Sequence, residues 1–289
     1  MLLELGVFAA FGAMLCWGIG DFLIQRTTRK IGDIETLAFI GLMGAIGLLP
    51  FVVYEIPLIL EPQNLMLLAV LGLITFVAAI LDFEALKKGK LSVVEIILEI
   101  ELPVTVVLGF IFFRESLSLL QTAAVFSVLG GILLIAAGSS PSRKFGRKLE
   151  KGVFLAILAA VSMGFVNFLT AAGSKQASPL LVIWMPWLIV ALMAFPVLMK
   201  REGLRKTFRN ASNFKLLIIA TGIFDTAAWL FFAFAVFDNM LSITIAITES
   251  YPAVALLLGL WLNKEKIAVH QYAGAGIALA ASIALGFLI

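Results

Sequence analysis

The chain has 289 residues, 62% of them hydrophobic and 13% charged, with a mean hydropathy of +1.10. Soluble domains run at roughly 45–50% apolar and about 25% charged, so a water-soluble globular protein is excluded and a polytopic membrane protein is expected. The formal net charge of +3 says little by itself, and a single cysteine, Cys16, excludes an intrachain disulfide and a cysteine metal cage.

A membrane span needs about 20 mostly apolar residues. On that measure ten are predicted, in chain order 5–24, 34–54, 65–86, 91–113, 118–137, 153–173, 178–199, 216–237, 241–262 and 267–288. Span 1 contains Cys16, which reads as a packing residue. Met1–Ala10 has no basic leading segment and no small-residue cleavage region follows it, so span 1 reads as its own targeting signal rather than a removable one. The longest links, Gly138–Gly152 and Lys200–Lys215, are basic and polar, and the first divides the chain into halves, 1–140 and 150–289.

The links after spans 1, 3, 5, 7 and 9 carry every Lys and Arg of the chain's 21 except Arg114 and Lys175. By the positive-inside rule those links are cytoplasmic and both termini lie outside, in an inner or plasma membrane. The basic residues thus read as topology anchors, and nucleic-acid binding has no support. Five spans per half is an odd number, so the second half enters the membrane upside down relative to the first. The fold class expected is all-α, ten transmembrane helices in two inverted five-helix repeats, an architecture of secondary transporters with the substrate site at the repeat interface.

The repeat is legible in the residues. LSVVEIILEIELPVTVVLGFIFFRESLSLLQ, Leu91–Gln121, returns 150 positions later as LSITIAITESYPAVALLLGLWLNKEKIAVHQ, Leu241–Gln271, with Glu99, Glu115 and Gln121 matched by Glu249, Glu265 and Gln271. Trp17-Gly18-Ile19-Gly20-Asp21 of span 1 aligns with Met163-Gly164-Phe165-Val166-Asn167 of span 6, which sets Asp21 opposite Asn167. Gly72, Ala78 and Ala85 of span 3 match Gly222, Ala228 and Ala235 of span 8, and Thr75 matches Asp225.

Trp17-Gly18, Ala85, Pro103-Val104, Glu115, Gln121 and Gly130, followed by Gly164, Ala235, Pro252, Glu265, Gln271 and Gly274, resemble the EamA branch of the drug/metabolite transporter superfamily over essentially the whole chain. The resemblance implies ten helices in two five-helix repeats and a substrate among amino acids, drugs, other metabolites, sugars or nucleotide sugars. Three glutamates in span 4 depart from the family, where that helix is usually small or apolar. The family is also often drawn with cytosolic termini, opposite to the charge pattern here.

Eight acids fall within the spans: Asp21, Asp82, Glu84, Glu95, Glu99, Glu101, Asp225 and Glu249. Each costs about 2.5–3.5 kcal/mol on insertion scales if it faces lipid, so they are expected to face protein or water. Glu84 can pair with Lys87 and Lys88 at i+3 and i+4, so Asp82 and Glu84 read as interfacial. Asp21 reads equally as a surface-facing cap and as a gate. Glu95 and Glu99 share a face, whereas Glu101 projects about 200° from Glu99. Glu99, Asp225 and Glu249 are deepest. Glu99 precedes Pro103 by four residues and Glu249 precedes Pro252 by three, and a helical proline frees a carbonyl one turn earlier, so each carboxyl is placed as a seat for a proton or cation.

Asn167, Thr75, Thr226, Thr248, Ser250 and Tyr251 supply neutral hydrogen bonds in this reading. Trp184, Trp187 and Trp229 supply either flat walls for a substrate or lipid and interfacial packing. The expected substrate and ion site is therefore Glu99, Glu249, Asp225, Asn167, Asp21, Glu95, Tyr251, Trp229 and Trp187. Glu115 and Glu265 read as structural, His270 as a polar helix-end residue, and Gly274, Ala278 and Ser282 as a close-packing stripe.

Gly18-Ile19-Gly20-Asp21 is similar to the active-site motif of intramembrane aspartyl proteases, but that chemistry needs a second aspartate sharing a proton, and the repeat counterpart is Asn167. No HExxH, GxSxG or phosphate-binding glycine loop is present. A passive channel fits poorly with duplicated midplane prolines and acids. The expected function is a secondary carrier of a small organic metabolite, an amine or other cation, coupled to protons in preference to sodium. The alternative is an exporter of amino acids or other neutral or zwitterionic metabolites. No enzyme activity, cofactor or metal is expected, and a monomer is favoured over a homodimer because both repeats lie in one chain.

Overall fold

The computed structural model describes residues 2–88, 97–136, 151–201, 203–254 and 268–288. Among these the chain is a helical bundle: α1 (Leu2–Ile31), α2 (Asp33–Val52), a 3-10 turn (Ile56–Leu60), α3 (Pro62–Lys88), α4 (Glu101–Phe112), α5 (Leu119–Ala136), α6 (Lys151–Gln176), α7 (Leu181–Arg201), α8 (Leu204–Asn213), α9 (Lys215–Asp238), α10 (Leu241–Thr248) and α11 (Val269–Leu288). Seven of these, α1–α3, α6, α7, α9 and α11, are long and apolar enough to cross a membrane, and α4 and α5 are shorter apolar helices.

Boundaries differ from the sequence reading in three places, each for a local reason. The helix of span 1 runs on through the basic residues to Ile31, because no breaker intervenes before Gly32, whose φ of 99° only glycine adopts readily. The link expected over Lys200–Lys215 holds the helix α8, entered through Gly203 at φ 75°.

Spans 4 and 9 are not continuous. Both break at the same repeat position, Glu99-Ile100 and Glu249-Ser250. Pro103 and Pro252 have no N–H for the carbonyl four residues earlier, so the chain tightens there into i→i−3 bonds. The Leu102 amide donates to the Glu99 carbonyl at 3.3 Å and the Ala253 amide to the Ser250 carbonyl at 3.0 Å.

Packing respects the repeat. The most extensive interfaces are α1 with α9, α3 with α6, α5 with α11, and α2 with α7. Exchanging each first-half helix with its counterpart turns α1–α9 into α6–α3 and leaves the other two pairs unchanged. The smaller interfaces obey the same exchange: α3–α7 maps onto α9–α2, and α4–α6 onto α10–α1.

The match reaches single residues. A Cβ at Gly18 would lie 2.7 Å from the Val254 side chain and 3.1 Å from the Tyr251 carbonyl, and one at Gly164 would lie 2.5 Å from Val104 and 3.5 Å from the Glu101 carbonyl. Val254 and Tyr251 stand 150 positions after Val104 and Glu101. In the α5–α11 crossing, Gly131 and Gly274 bring the backbones so close that a Cβ at Gly131 would lie 2.7 Å from the Ala278 amide, the small-residue packing expected of that stripe. Gln121 Nε2 donates to the Leu288 carbonyl and Gln271 Nε2 to the Ile135 carbonyl, both at 2.9 Å, so each glutamine ties the start of its helix to the end of the other.

Candidate functional site

A cavity of about 120 Å³ lies inside the bundle, lined from both halves. Helical spacing explains its walls. Trp17, Asp21 and Ile24 fall at i, i+4 and i+7 on α1; Thr75, Ala79 and Asp82 do so on α3; Leu37 and Ile40 are three apart on α2; and Asp225 and Trp229 are four apart on α9. Glu101 from α4, Trp187 from α7, Met163 from α6, and Glu249 and Tyr251 at the break in span 9 also line it. On α1, α2 and α3 the lining runs from mid-helix toward the ends that carry the basic links.

Five carboxyl side chains line this space, Asp21, Asp82, Glu101, Asp225 and Glu249, with no Lys, Arg or His among the described lining residues. Asp225 and Glu249 are 6% and 5% exposed. Asp225 Oδ2 and the Trp187 indole Nε1 have no hydrogen-bond partner among the described residues, and an unsatisfied buried polar group costs about 1–3 kcal/mol. Glu101 Oε1 accepts from Asn167 Nδ2 at 2.5 Å, and the same amide approaches Thr105 Oγ1 at 3.4 Å. Thr75 is turned back on its own helix, donating to the Leu71 carbonyl at 2.8 Å.

The aromatic wall is a packed unit. Trp17 meets Trp229 edge to face at 5.2 Å and Phe232 at 5.5 Å, and Trp229 meets Phe232 edge to face at 6.0 Å, geometries that hold rings rigidly. Trp184, Trp187 and Trp229 are all buried, so the lipid or interfacial reading of these tryptophans is corrected. Trp184 is structural, its Nε1 donating to the Ala45 carbonyl at 2.8 Å.

Of the expected site residues, Asp21, Asp225, Glu249, Tyr251, Trp187 and Trp229 line the cavity. Asn167 stands behind the wall, on Glu101. Glu99 is buried, but its neighbour two positions on, Glu101, is the span 4 acid in the lining. Its rotation about the axis, reckoned for an unbroken helix, does not survive the break at Glu99-Ile100. Glu95 and Glu265, and the Lys87 and Lys88 side chains expected to pair with Glu84, lie outside the described residues.

Asp82, read as interfacial, is instead part of the lining, a correction that spacing explains: it is seven residues from Thr75, the counterpart of Asp225, on the same face. Glu101 and Trp17 were missed as well. Trp17 stands four residues before Asp21, a signal available in the sequence.

The bundle end opposite the basic links is closed by polar ties. Arg114, at φ 53°, turns the chain after α4 so that Glu115 reaches the start of α10. Its carboxylate accepts from the Leu241 amide at 2.6 Å, the Ser242 amide at 2.9 Å and Ser242 Oγ at 2.5 Å. Negative charge at a helix N-terminus satisfies amides that have no partner within the helix, which makes Glu115 a structural cap. Lys175 Nζ donates to the Asn239 carbonyl at 3.3 Å and lies 5.0 Å above the Phe113 ring. Gln176 Nε2 donates to Asn64 Oδ1 at 3.0 Å, and Ser178 bonds Glu55.

Comparison with curated protein sequences gives no match. Among solved structures, one described simply as a crystal structure of a protein is similar over 98% of this chain and 96% of its own, with a TM-score of 0.77 at 15% identity, a likeness of fold. The family model described as the EamA-like transporter family matches twice, over residues 4–137 and 150–287. With nearly the whole length covered by two copies of that model, the chain belongs to the EamA-like transporter family of the drug/metabolite transporter superfamily.

Proposed function

We propose that the protein is a secondary active transporter of a small organic cation, an amine foremost, coupled to protons and working by alternating access. One observation carries this reading: a cavity within the membrane bundle lined by five carboxyl side chains and three tryptophans, with no basic side chain among its described lining residues. Carboxylates attract a cation or bind the exchanging proton, and indole faces attract ammonium groups. A volume of about 120 Å³ holds about four waters at roughly 30 Å³ each, which suits a compact ligand.

The architecture proposed is two inverted five-span repeats, 1–140 and 150–289, with basic links in the cytoplasm. In this reading the structure faces inward, since the cavity extends toward the basic links while the Glu115 and Lys175 ties hold the other end. Repeat-related residues occupy different environments: Glu249 lines the cavity, while its counterpart Glu99 is buried beside it. Glu99 and Glu249 are equally buried, at 5% exposure, but of the pair only Glu249 lines the cavity, and alternating access between inverted repeats would exchange which of the two the cavity reaches.

A second reading, transport of amino acids or other metabolites bearing an acceptor oxygen, draws support from Trp187 Nε1, a donor at the cavity wall with no partner among the described residues. Flux measurements in vesicles separate the two. Labelled amines are expected to move, faster under an imposed pH gradient, and to keep moving when sodium is replaced by potassium. Movement of amino acids with amines ignored would favour the second reading. Flux that needs sodium and ignores pH would overturn proton coupling, and sustained unitary conductance would replace the carrier by a channel.

A further inference from the structure

The link between α7 and α9 is more than a topology anchor. Its helix α8, LRKTFRNASN, has two chemically opposed faces. At 100° per residue, Arg205, Phe208, Arg209 and Ser212 cover one face, and all four are exposed, Phe208 to 70%. Thr207 and Asn210 point the other way and are buried, 6% and 8% exposed, and Asn210 Nδ2 donates to Glu35 Oε2 at 2.8 Å. That bond keys α8 to the first turn of α2, two residues before Leu37 in the cavity wall. The helix is therefore held in one rotational setting, with its outward face presenting guanidinium groups around a large exposed aromatic ring. Lys200 and Arg201 at the end of α7 and Lys215 at the start of α9 add positive charge on either side.

We propose that α8 is a docking element for anionic phospholipid: Arg205 and Arg209 take the headgroup phosphates while Phe208 enters the boundary between headgroups and acyl chains. Charge and shape both select this occupant. A free anion would engage the guanidinium groups and leave the ring, 70% exposed, in water. A lipid supplies an apolar layer and a negative phosphate a few ångströms apart, matching a basic helix with an aromatic side chain on the same face. Because Asn210 bonds Glu35, lipid docking also bears on the position of α2.

The test measures docking directly and does not depend on what is transported. In a Cys16→Ala background, Phe208→Cys carries an environment-sensitive fluorophore, and the full chain is reconstituted in phosphatidylcholine vesicles containing equal small fractions of spin-labelled phosphatidylglycerol or spin-labelled phosphatidylcholine. Quenching by the anionic lipid is expected to exceed that by the zwitterionic lipid at least about twofold, and Arg205→Gln with Arg209→Gln should abolish the preference while leaving the fluorophore in an apolar setting. Equal quenching by both lipids, a preference that survives the double substitution, or ready quenching by aqueous iodide, as for a surface turned to water or to a soluble partner, would each overturn the proposal.

Discussion

Glu249 and Asp225 are the side chains on which the transport reading turns, because each is buried, lines the cavity and lacks a basic partner among the described lining residues. Replacing a carboxyl by its amide keeps size and hydrogen bonding and removes titration, which separates charge from packing. Glu249→Gln and Asp225→Asn are each expected to lower pH-driven flux at least about tenfold, equal to about 1.4 kcal/mol in the barrier, with normal amounts of protein in the membrane. Glu99→Gln should do the same if the two repeats exchange roles during the cycle, whereas Glu84→Gln, outside the lining, should lose far less. Initial rates in vesicles normalised to protein decide this. Normal flux in both Glu99→Gln and Glu249→Gln with a dead Asp225→Asn would move the working carboxyl to α9. Glu101 adds a comparison with the opposite repeat: its counterpart is Tyr251, so one half presents an acid where the other presents a phenol.

At the scale of the element, the breaks in spans 4 and 9 and the cap on α10 set where those side chains sit. A proline three or four residues after each glutamate removes one ladder hydrogen bond, and the helix restarts at a new angle. The restart carries Glu101 in one half and Tyr251 in the other. The cap is the more testable piece, since three donors converge on Glu115 and charge-assisted bonds at a helix start are among the stronger polar ties. Glu115→Ala is expected to destabilise the protein by about 2 kcal/mol, read as a lower thermal unfolding midpoint in detergent. Glu115→Gln should lie between the two, because an amide oxygen still accepts. In the α5–α11 crossing, Gly131→Leu forces a side chain into the Ala278 backbone and should cost about 1–3 kcal/mol by overpacking, whereas Gly130, which has open space around its Cβ position, should accept alanine with little change.

The whole molecule pairs its helices in a pattern unchanged by exchanging its halves, yet its cavity is one-sided. In the alternating-access reading proposed above, that one-sidedness marks one state of the cycle. The sidedness proposed from charge has a direct check. A cysteine at Arg205 in the Cys16→Ala background should react with an impermeant reagent in inside-out vesicles and be protected in intact cells, whereas cysteines introduced at Met1 and Ile289 should react in intact cells. The reverse pattern would invert the topology and make the cavity outward-facing.

Much of this was legible in the residues alone, and the reason is physical: the bilayer demands apolar stretches of a set length, and duplication writes many structural requirements twice, at a spacing of 150 from span 3 to span 8 and 146 from span 1 to span 6. Hydropathy thus marked the bundle, and the doubled Gly18 and Pro103 patterns, with Gly164 and Pro252 as counterparts, marked the family and the region of the site. Glu99 and Glu249 stood out because depth along a span can be counted. Rotation about the helix axis was not countable past a break, so Glu101 rather than Glu99 in the lining came from the tertiary structure. Depth also misled for Asp82, which lies in the later turns of its span yet shares a face with Thr75. The buried tryptophans were decided by packing, since an indole in an apolar helix suits lipid and protein equally until a neighbour such as Phe232, edge to face with Trp229, is in place. The largest gap was asymmetry: a duplicated sequence describes both halves alike, and only the packed conformation chooses which end of the bundle is closed and which carboxyls the cavity reaches.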